Sequence, residues 1–275
     1  GMGSAFPLTL SGISSSTIEN NNIAVSSGNA RSLRLSGGGS AEIRSNSFFG
    51  RISVEAGGGS IVFEKNNIVL NEATCSTCAT VEIAHRTNLD PATLVVQNNV
   101  LENVWAGSSF SINGIINIED VDLFASVGIF NNSVRTGVQS AVGKAAIGAS
   151  LNNTGFTGAL PVTIVNNVLA GTGGTGISFP VGTTIDSDYN LLFNYTTPYD
   201  GGTTITGTHD LNEPSGQGDP PPLFANDLLE LADGSPAIDA GAGTAEYANV
   251  PVDDYDGTSR PVGSAHDMGA HERGN

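Results

Sequence analysis

Two copies of one 20-residue unit lie back to back in residues 31–70. Arg31-Ser-Leu-Arg-Leu-Ser-Gly-Gly-Gly-Ser40 matches Arg51-Ile-Ser-Val-Glu-Ala-Gly-Gly-Gly-Ser60, and the match runs on without a gap through Ile43/Phe63 and Asn46/Asn66. A fixed period of short apolar strands and glycine corners is how a solenoid is written in sequence. Each turn then buries its apolar side chains on the next.

A weaker form of the unit continues along the chain. It appears as Ile18…Asn21…Ile23, Ile43…Asn46…Phe48, Phe63…Asn66…Ile68, Val96…Asn99…Leu101, Ile129…Asn132…Val134 and Ile164…Asn167…Leu169, with Tyr189-Asn190-Leu191-Leu192 as a degenerate seventh. The Asn positions are 25, 20, 33, 33, 35 and 23 residues apart. Short spacings fit one turn of a β-helix; long ones fit a turn with an inserted loop, at 71–93, 103–126 and 136–161. Asn tolerates the left-handed backbone of a sharp corner. Stacked at equivalent corners, Asn21, Asn46, Asn66, Asn99, Asn132 and Asn167 are expected to hydrogen-bond from turn to turn as an amide ladder.

Apolar alternation supports strands rather than helices: Leu33/Leu35, Ile52/Val54, Val81/Ile83, Ile116/Ile118 and Val121/Leu123. The nearest helix candidates, Asn226–Ala232 and Gly137–Gly148, are short. The spacing therefore predicts an all-β fold, a single right-handed parallel β-helix of seven to nine turns over residues 5–205. An acidic, Pro- and Gly-rich closing region, 206–275, is expected to pack on the same helix. Phe6-Pro-Leu-Thr-Leu10 reads as a strand entering without a cap, which leaves that end open to self-association.

The formal net charge is −17. Thirteen of the 27 acids fall at or after Asp210, opposed there only by Arg260 and Arg273. No broad basic face exists, which argues against nucleic acid and anionic membrane surfaces. No apolar run is long enough to span a membrane. No signal peptide is present, and Gly1-Met2-Gly3-Ser4 reads as a cloning remnant, which leaves room for a removed targeting segment. Cys75-Ser-Thr-Cys78 is most simply a small loop disulfide. A redox pair wants a following helix, and a zinc site wants further ligands where only His85 is near in sequence.

Three blocks near the C-terminus carry a resemblance. Ser235-Pro-Ala-Ile-Asp-Ala-Gly241, Asp254-Tyr-Asp-Gly-Thr-Ser-Arg-Pro261 and Asp267-Met-Gly-Ala-His-Glu272 resemble the C-terminal signature of secreted bacterial right-handed parallel β-helix proteins of the pectin-lyase-like kind, with a choice-of-anchor-type tail. The resemblance implies a secreted or cell-surface location and a partner that is a polysaccharide or surface glycan. Two features depart from it: His271 stands where Tyr or Phe is usual, and no anchor tail follows Asn275. The blocks also have a physical reading. Arg260 is expected to pair with Asp256, Asp239 or Asp267, closing the last turn. Asp253, Asp254 and Asp256 offer oxygen ligands for Ca²⁺, though not at EF-hand spacing.

The catalytic devices of such enzymes do not stand out. No Asn-Thr-Asp, Asp-Asp and His-Gly series, no Arg-x-Pro-x-x-Arg, no Gly-x-Ser-x-Gly elbow and no phosphate loop occurs. Three constellations remain. Asp120 and Asp122 would share the outward face of an alternating strand. His85 and Arg86, with Asp90, would gather on one inserted loop. Arg31 and Arg51 fall in register one turn apart and would grip a uronic or sulfated sugar, unless Glu42 or Glu55 pairs them. Trp105 is the candidate sugar platform. Two readings follow: a module that binds or presents carbohydrate without catalysis, or a polysaccharide lyase or glycoside hydrolase working in a groove along one sheet.

Overall fold

In the computed structural model three eight-stranded parallel sheets are wound from the chain in strict rotation. The structure describes residues 8–12, 14–24, 31–37, 39–70, 80–85, 90–103, 114–136, 145–152, 158–200, 204–214 and 224–274. The first sheet runs Leu8–Ser11, Arg31–Ser36, Arg51–Ala56, Val81–His85, Gly114–Glu119, Ala145–Ala149, Thr175–Ser178 and Thr197–Tyr199. The second runs Ser15–Glu19, Ser40–Arg44, Gly59–Glu64, Ala92–Gln97, Ser126–Phe130, Gly158–Val165, Thr183–Asp188 and Thr204–Ile205. The third runs Asn22–Ala24, Ser47–Phe49, Asn67–Leu70, Val100–Asn103, Ser133–Thr136, Val168–Ala170, Leu191–Tyr195 and Leu211–Pro214. One strand from each makes a rung, so the chain is a parallel β-helix of eight rungs. The only helical turn among the described residues is a 3₁₀ turn at Val121–Leu123.

Register explains the core. Because side chains alternate across a strand, in-register stacking puts each apolar residue over its counterpart one rung away. Leu33, Ile52, Val81, Ile116, Ile147 and Ile177 form one such row in the first sheet. Ile18, Ile43, Phe63, Val96, Ile129 and Ile164 form another in the second. All twelve are buried. The insertions expected from the long Asn spacings leave these rows intact.

The Asn ladder is present, and it is directional. In each step the backbone N–H and Nδ2 of one Asn both donate to Oδ1 of the next, at 2.9–3.1 Å from Asn21 through Asn46, Asn66, Asn99, Asn132 and Asn167 to Asn190. From Asn46 onward Nδ2 also donates to a main-chain carbonyl of the preceding rung, Ile18 for Asn46 and Ile43 for Asn66. The ladder ends on a residue with no amide to pass on: Asp210 Oδ1 accepts Asn190 N at 2.6 Å and Nδ2 at 3.1 Å, while Tyr199 Oη donates to Oδ2. Burial pushes the Asp210 carboxyl up.

The corner chemistry differs from expectation in one respect. The left-handed residue is the one before each ladder Asn: Asn20, Ser45, Lys65, Asn98, Asn131, Asn166 and Tyr189 have φ of 51–61°. The ladder Asn is there for its side chain. Asn-Asn pairs thus divide their labour, the first turning the chain outward and the second capping the interior.

The outward Asn residues hold the C-terminal segment. Asn98 Nδ2 donates to the Asp253 carbonyl at 2.9 Å, and Asn131 Nδ2 to that of Asp267 at 3.1 Å. Asn166 exchanges two bonds with the Ala242 backbone, at 2.8 and 2.7 Å. These contacts lie along the flank of the helix, so residues 224–274 cover a side of it, and Phe224, Leu231 and Met268 also pack with Leu211 of the last strand. Arg260 pairs with Glu272 at 2.6 Å, not with Asp256, Asp239 or Asp267, and both side chains are fully buried. Its guanidinium also reaches the carbonyls of Asp267, Gly269 and Ala270. Residues 253–272 are thereby folded around one cation.

Two predictions follow from burial. Asn99→Asp leaves the Asn66 acceptor but removes the donor to Phe63 O and Asn132 Oδ1 and buries a charge. It should cost about 3 kcal/mol or more. Asp210→Asn keeps Oδ1 for Asn190 but takes the acceptor from the Tyr199 hydroxyl, and should cost about 1 kcal/mol, less than Asn99→Asp. Urea unfolding followed by circular dichroism reads both. Secondly, burial raises the Asp267 carboxyl from 3.8 to about 6. The folded state then binds that proton more tightly than the unfolded chain, so this group favours folding below about pH 4 and that contribution is lost as pH rises toward about 6. Midpoints measured between those limits should flatten in Asp267→Asn.

Candidate functional site

The outer face of the second sheet carries a groove of about 560 Å³. Its floor follows from register. Val62, Val95, Gly128 and Thr163 stack in one outward row, and Glu64, Gln97, Phe130 and Val165 in the next, of which Gln97 and Phe130 line the groove. Gly128 interrupts the first row, and the Phe130 ring folds back into the space: a Cβ at Gly128 would sit 2.2 Å from Phe130 Cε2. Pro161 lines the groove from a bulge, where residues 160–162 oppose the single residue Ile185. Proline has no N–H to give a ladder, so a bulge is where it fits. The C-terminal segment forms the wall. Asn249 lines the groove, and Ala242 and Val250 pack on Phe130 and Val165.

The lining is apolar and uncharged polar: valines, Phe130 and Pro161 with Gln97, Ser126, Thr163 and Asn249. Gln97 Nε2 donates to Glu64 at 2.8 Å, which fixes its amide. Among the described residues no Asp, Glu, Lys or Arg lines it.

One strand further along, acids and rings gather. The first outward row continues from Thr163 to Asp186, and the second from Val165 to Asp188. Asp188 Oδ1 accepts the His209 N–H at 2.7 Å and the Tyr189 N–H at 3.1 Å, and Oδ2 meets His209 Nδ1 at 2.8 Å. His209 stacks on Tyr189 with centroids 4.5 Å apart, and Tyr247 stands edge-on to Tyr189 at 6.5 Å. Tyr247 Oη lies 3.4 Å and Thr206 Oγ1 3.0 Å from Asp186 Oδ1. Burial, then Asp186 and Asp188, push the Tyr247 phenol well up. It therefore stays protonated, as a donor and not a base. The cluster offers two carboxylates, one exposed ring (His209) and two half-buried tyrosines at the end of the groove.

The residues singled out by sequence fall elsewhere. Asp120 and Asp122 do not share a strand face: Asp120 ends the strand in the left-handed region at φ 55°, and Asp122 sits in the 3₁₀ turn. Asp122 accepts the Asn152 N–H at 2.8 Å. The Asp120 carboxyl is pushed up, chiefly by burial and then by the charge of Asp122. His85 is not on a loop. It closes the strand Val81–His85 on its inward parity, is 4% exposed, packs edge-on to Phe124 at 5.2 Å, and sets Nε2 3.1 Å from the Asp90 carbonyl. This is a packed corner.

Arg31 and Arg51 are in register as expected. Arg51 is buried and pairs with Glu82 at 3.3 Å, and Arg34 with Glu55 at 3.3 Å. The Arg31 side chain, Arg86, Trp105, Cys75 and Cys78 lie outside the described residues. The acids proposed for Ca²⁺ are held apart. Asp253 pairs with Lys65 at 2.7 Å, and Asp254 accepts the N–H groups of Asp256, Thr258 and Glu272. Asp256 meets His271. The groove itself has a legible trace in sequence only at Ile185-Asp-Ser-Asp188, where two acids alternate beside the seventh Asn motif.

No family model, curated protein or solved structure matches the chain.

The packing at Gly128 is testable. Gly128→Ala forces the Phe130 ring out of its seat under Val250, which should cost about 1–3 kcal/mol. A thermal melt and a crystal structure of the variant check this, the ring being expected to turn into the groove.

Proposed function

We propose that this chain is a secreted or cell-surface β-helix module that binds or presents an uncharged polysaccharide along its second sheet. The groove lining carries the reading. Ligand sites combine apolar surface with a few placed polar groups, and here Phe130, the valines and Pro161 alternate with Gln97, Ser126, Thr163 and Asn249. A rigid strand array repeats such groups at about 4.8 Å per rung, which suits an extended chain of sugars. An anionic glycan is the poorer match. Among the described residues the groove brings no cation, and Arg51 and Arg34 are already engaged by Glu82 and Glu55.

A second reading rests on Asp186 and Asp188, outward and two residues apart at the groove's end. Paired carboxylates are the equipment of a glycoside hydrolase. Against it, Asp188 is occupied on both oxygens by Tyr189 and His209.

A glycan array with parallel assays for reducing ends and unsaturated products separates these. The expected outcome is retention of a neutral glycan without turnover. Gln97→Ala and Asn249→Ala should each weaken it about tenfold, one hydrogen bond's worth, with unchanged melting. Turnover abolished by Asp186→Asn would establish the hydrolase instead. Preference for polygalacturonate would contradict the uncharged ligand.

A further inference from the structure

We propose that Glu230, Asp256 and His271 form a binding site for a divalent transition-metal ion of the zinc type, clipping together three strips of the C-terminal segment. The three come from separate places. Glu230 lies in the short hairpin closed by the Phe224↔Leu231 bridge, and Asp256 in the turn closed by Asp253↔Ser259. His271 follows the buried run Asp267–Ala270. One ligand atom from each lies within 4.8 Å of the other two.

The hydrogen bonds of His271 call for a positive charge inside the cluster. His271 is 4% exposed, and its Nε2 sits 2.9 Å from the Leu228 carbonyl oxygen. A carbonyl only accepts, so Nε2 carries the proton. In the neutral ring the bare Nδ1 lone pair then faces Asp256 Oδ2 at 3.0 Å, with Glu230 alongside. Acceptor against acceptor at that distance requires a positive charge between them, either a proton or a metal ion. A histidine whose second nitrogen is held by a backbone carbonyl is the usual support of a metal-bound imidazole.

The donor set selects the ion. Two carboxylates and a neutral imidazole total two negative charges, which a divalent cation cancels. An imidazole nitrogen favours zinc, nickel, cobalt or copper over Ca²⁺ and Mg²⁺, which take oxygen. Zinc bonds of about 2.0–2.2 Å need Nδ1 and Oδ2 only slightly further apart than they are. Asp256 lies on a turn with its side chain 58% exposed, so it has room to move and an ion can reach it. This also alters the calcium expectation: of Asp253, Asp254 and Asp256, only Asp256 joins a ligand set, and that set contains nitrogen.

The test is calorimetry of the tag-free, EDTA-treated full chain at pH 7.5 with ZnCl₂, and separately with CaCl₂. The proposal expects one zinc per chain, a raised melting temperature with zinc, and no effect of calcium at the same concentration. Asp256→Asn keeps the turn and should weaken zinc at least about tenfold, as should Glu230→Gln. His271→Phe restores a buried ring and should abolish the zinc-dependent rise in melting. Nitrogen-15 shifts of His271 give a readout independent of stability, since Nδ1 should move on zinc addition. The proposal is overturned if zinc does not bind stoichiometrically, if both carboxyl variants bind as tightly as the parent, or if His271 stays doubly protonated with zinc present.

Discussion

Everything in this molecule depends on one row of buried amides. A coil of parallel strands must turn three times per rung, and each turn leaves main-chain groups facing the interior. Buried polar groups without partners cost more than any single contact returns. The ladder from Asn46 to Asn190 meets that demand at one corner of six successive rungs. An amide suits the place because it both donates and accepts, so one side chain serves the rung before it and the rung after. A carboxylate has no hydrogen to give, and a hydroxyl has one donor where the amide uses two. Asp210 fits only because the donors stop there.

The ladder also positions the outer surface. The residue before each ladder Asn is left-handed and points outward, and in the middle rungs that residue is a second Asn. Asn98, Asn131 and Asn166 dock the C-terminal segment, and the segment in turn walls the groove through Asn249. Interior capping, flank packing and groove shape are therefore one arrangement. The buried Arg260–Glu272 pair holds the segment's own folds together, and its removal one partner at a time would leave a charge without compensation.

How much was legible in sequence follows from this. The repeat at 31–70 carries rung length, corner position and inward parity together, so the parallel β-helix and the ladder could be read directly. Inward rows repeat because every rung must fill the same interior. Outward rows obey no such rule. Which outward residues meet depends on register across insertions of unequal length, so the neighbourhood of Val95, Gly128, Thr163 and Asp186 was invisible. His85 misled because it is polar yet sits on the inward parity of Val81 and Ile83. Asp120 misled because Val121 and Leu123, which look like strand alternation, form a 3₁₀ turn behind its left-handed backbone. The three acids near residue 255 attracted attention as a group, and each had a separate protein partner.

Side-chain hydrogen exchange of the Asn amides tests the central claim most directly. The Nδ2 protons of Asn66, Asn99, Asn132 and Asn167 should exchange only with global opening of the fold. Asn21, exposed at the ladder's first step, should exchange far faster. Exchange of the interior amides at the rate of Asn21 would mean that they do not hold the rungs, and the account would fail.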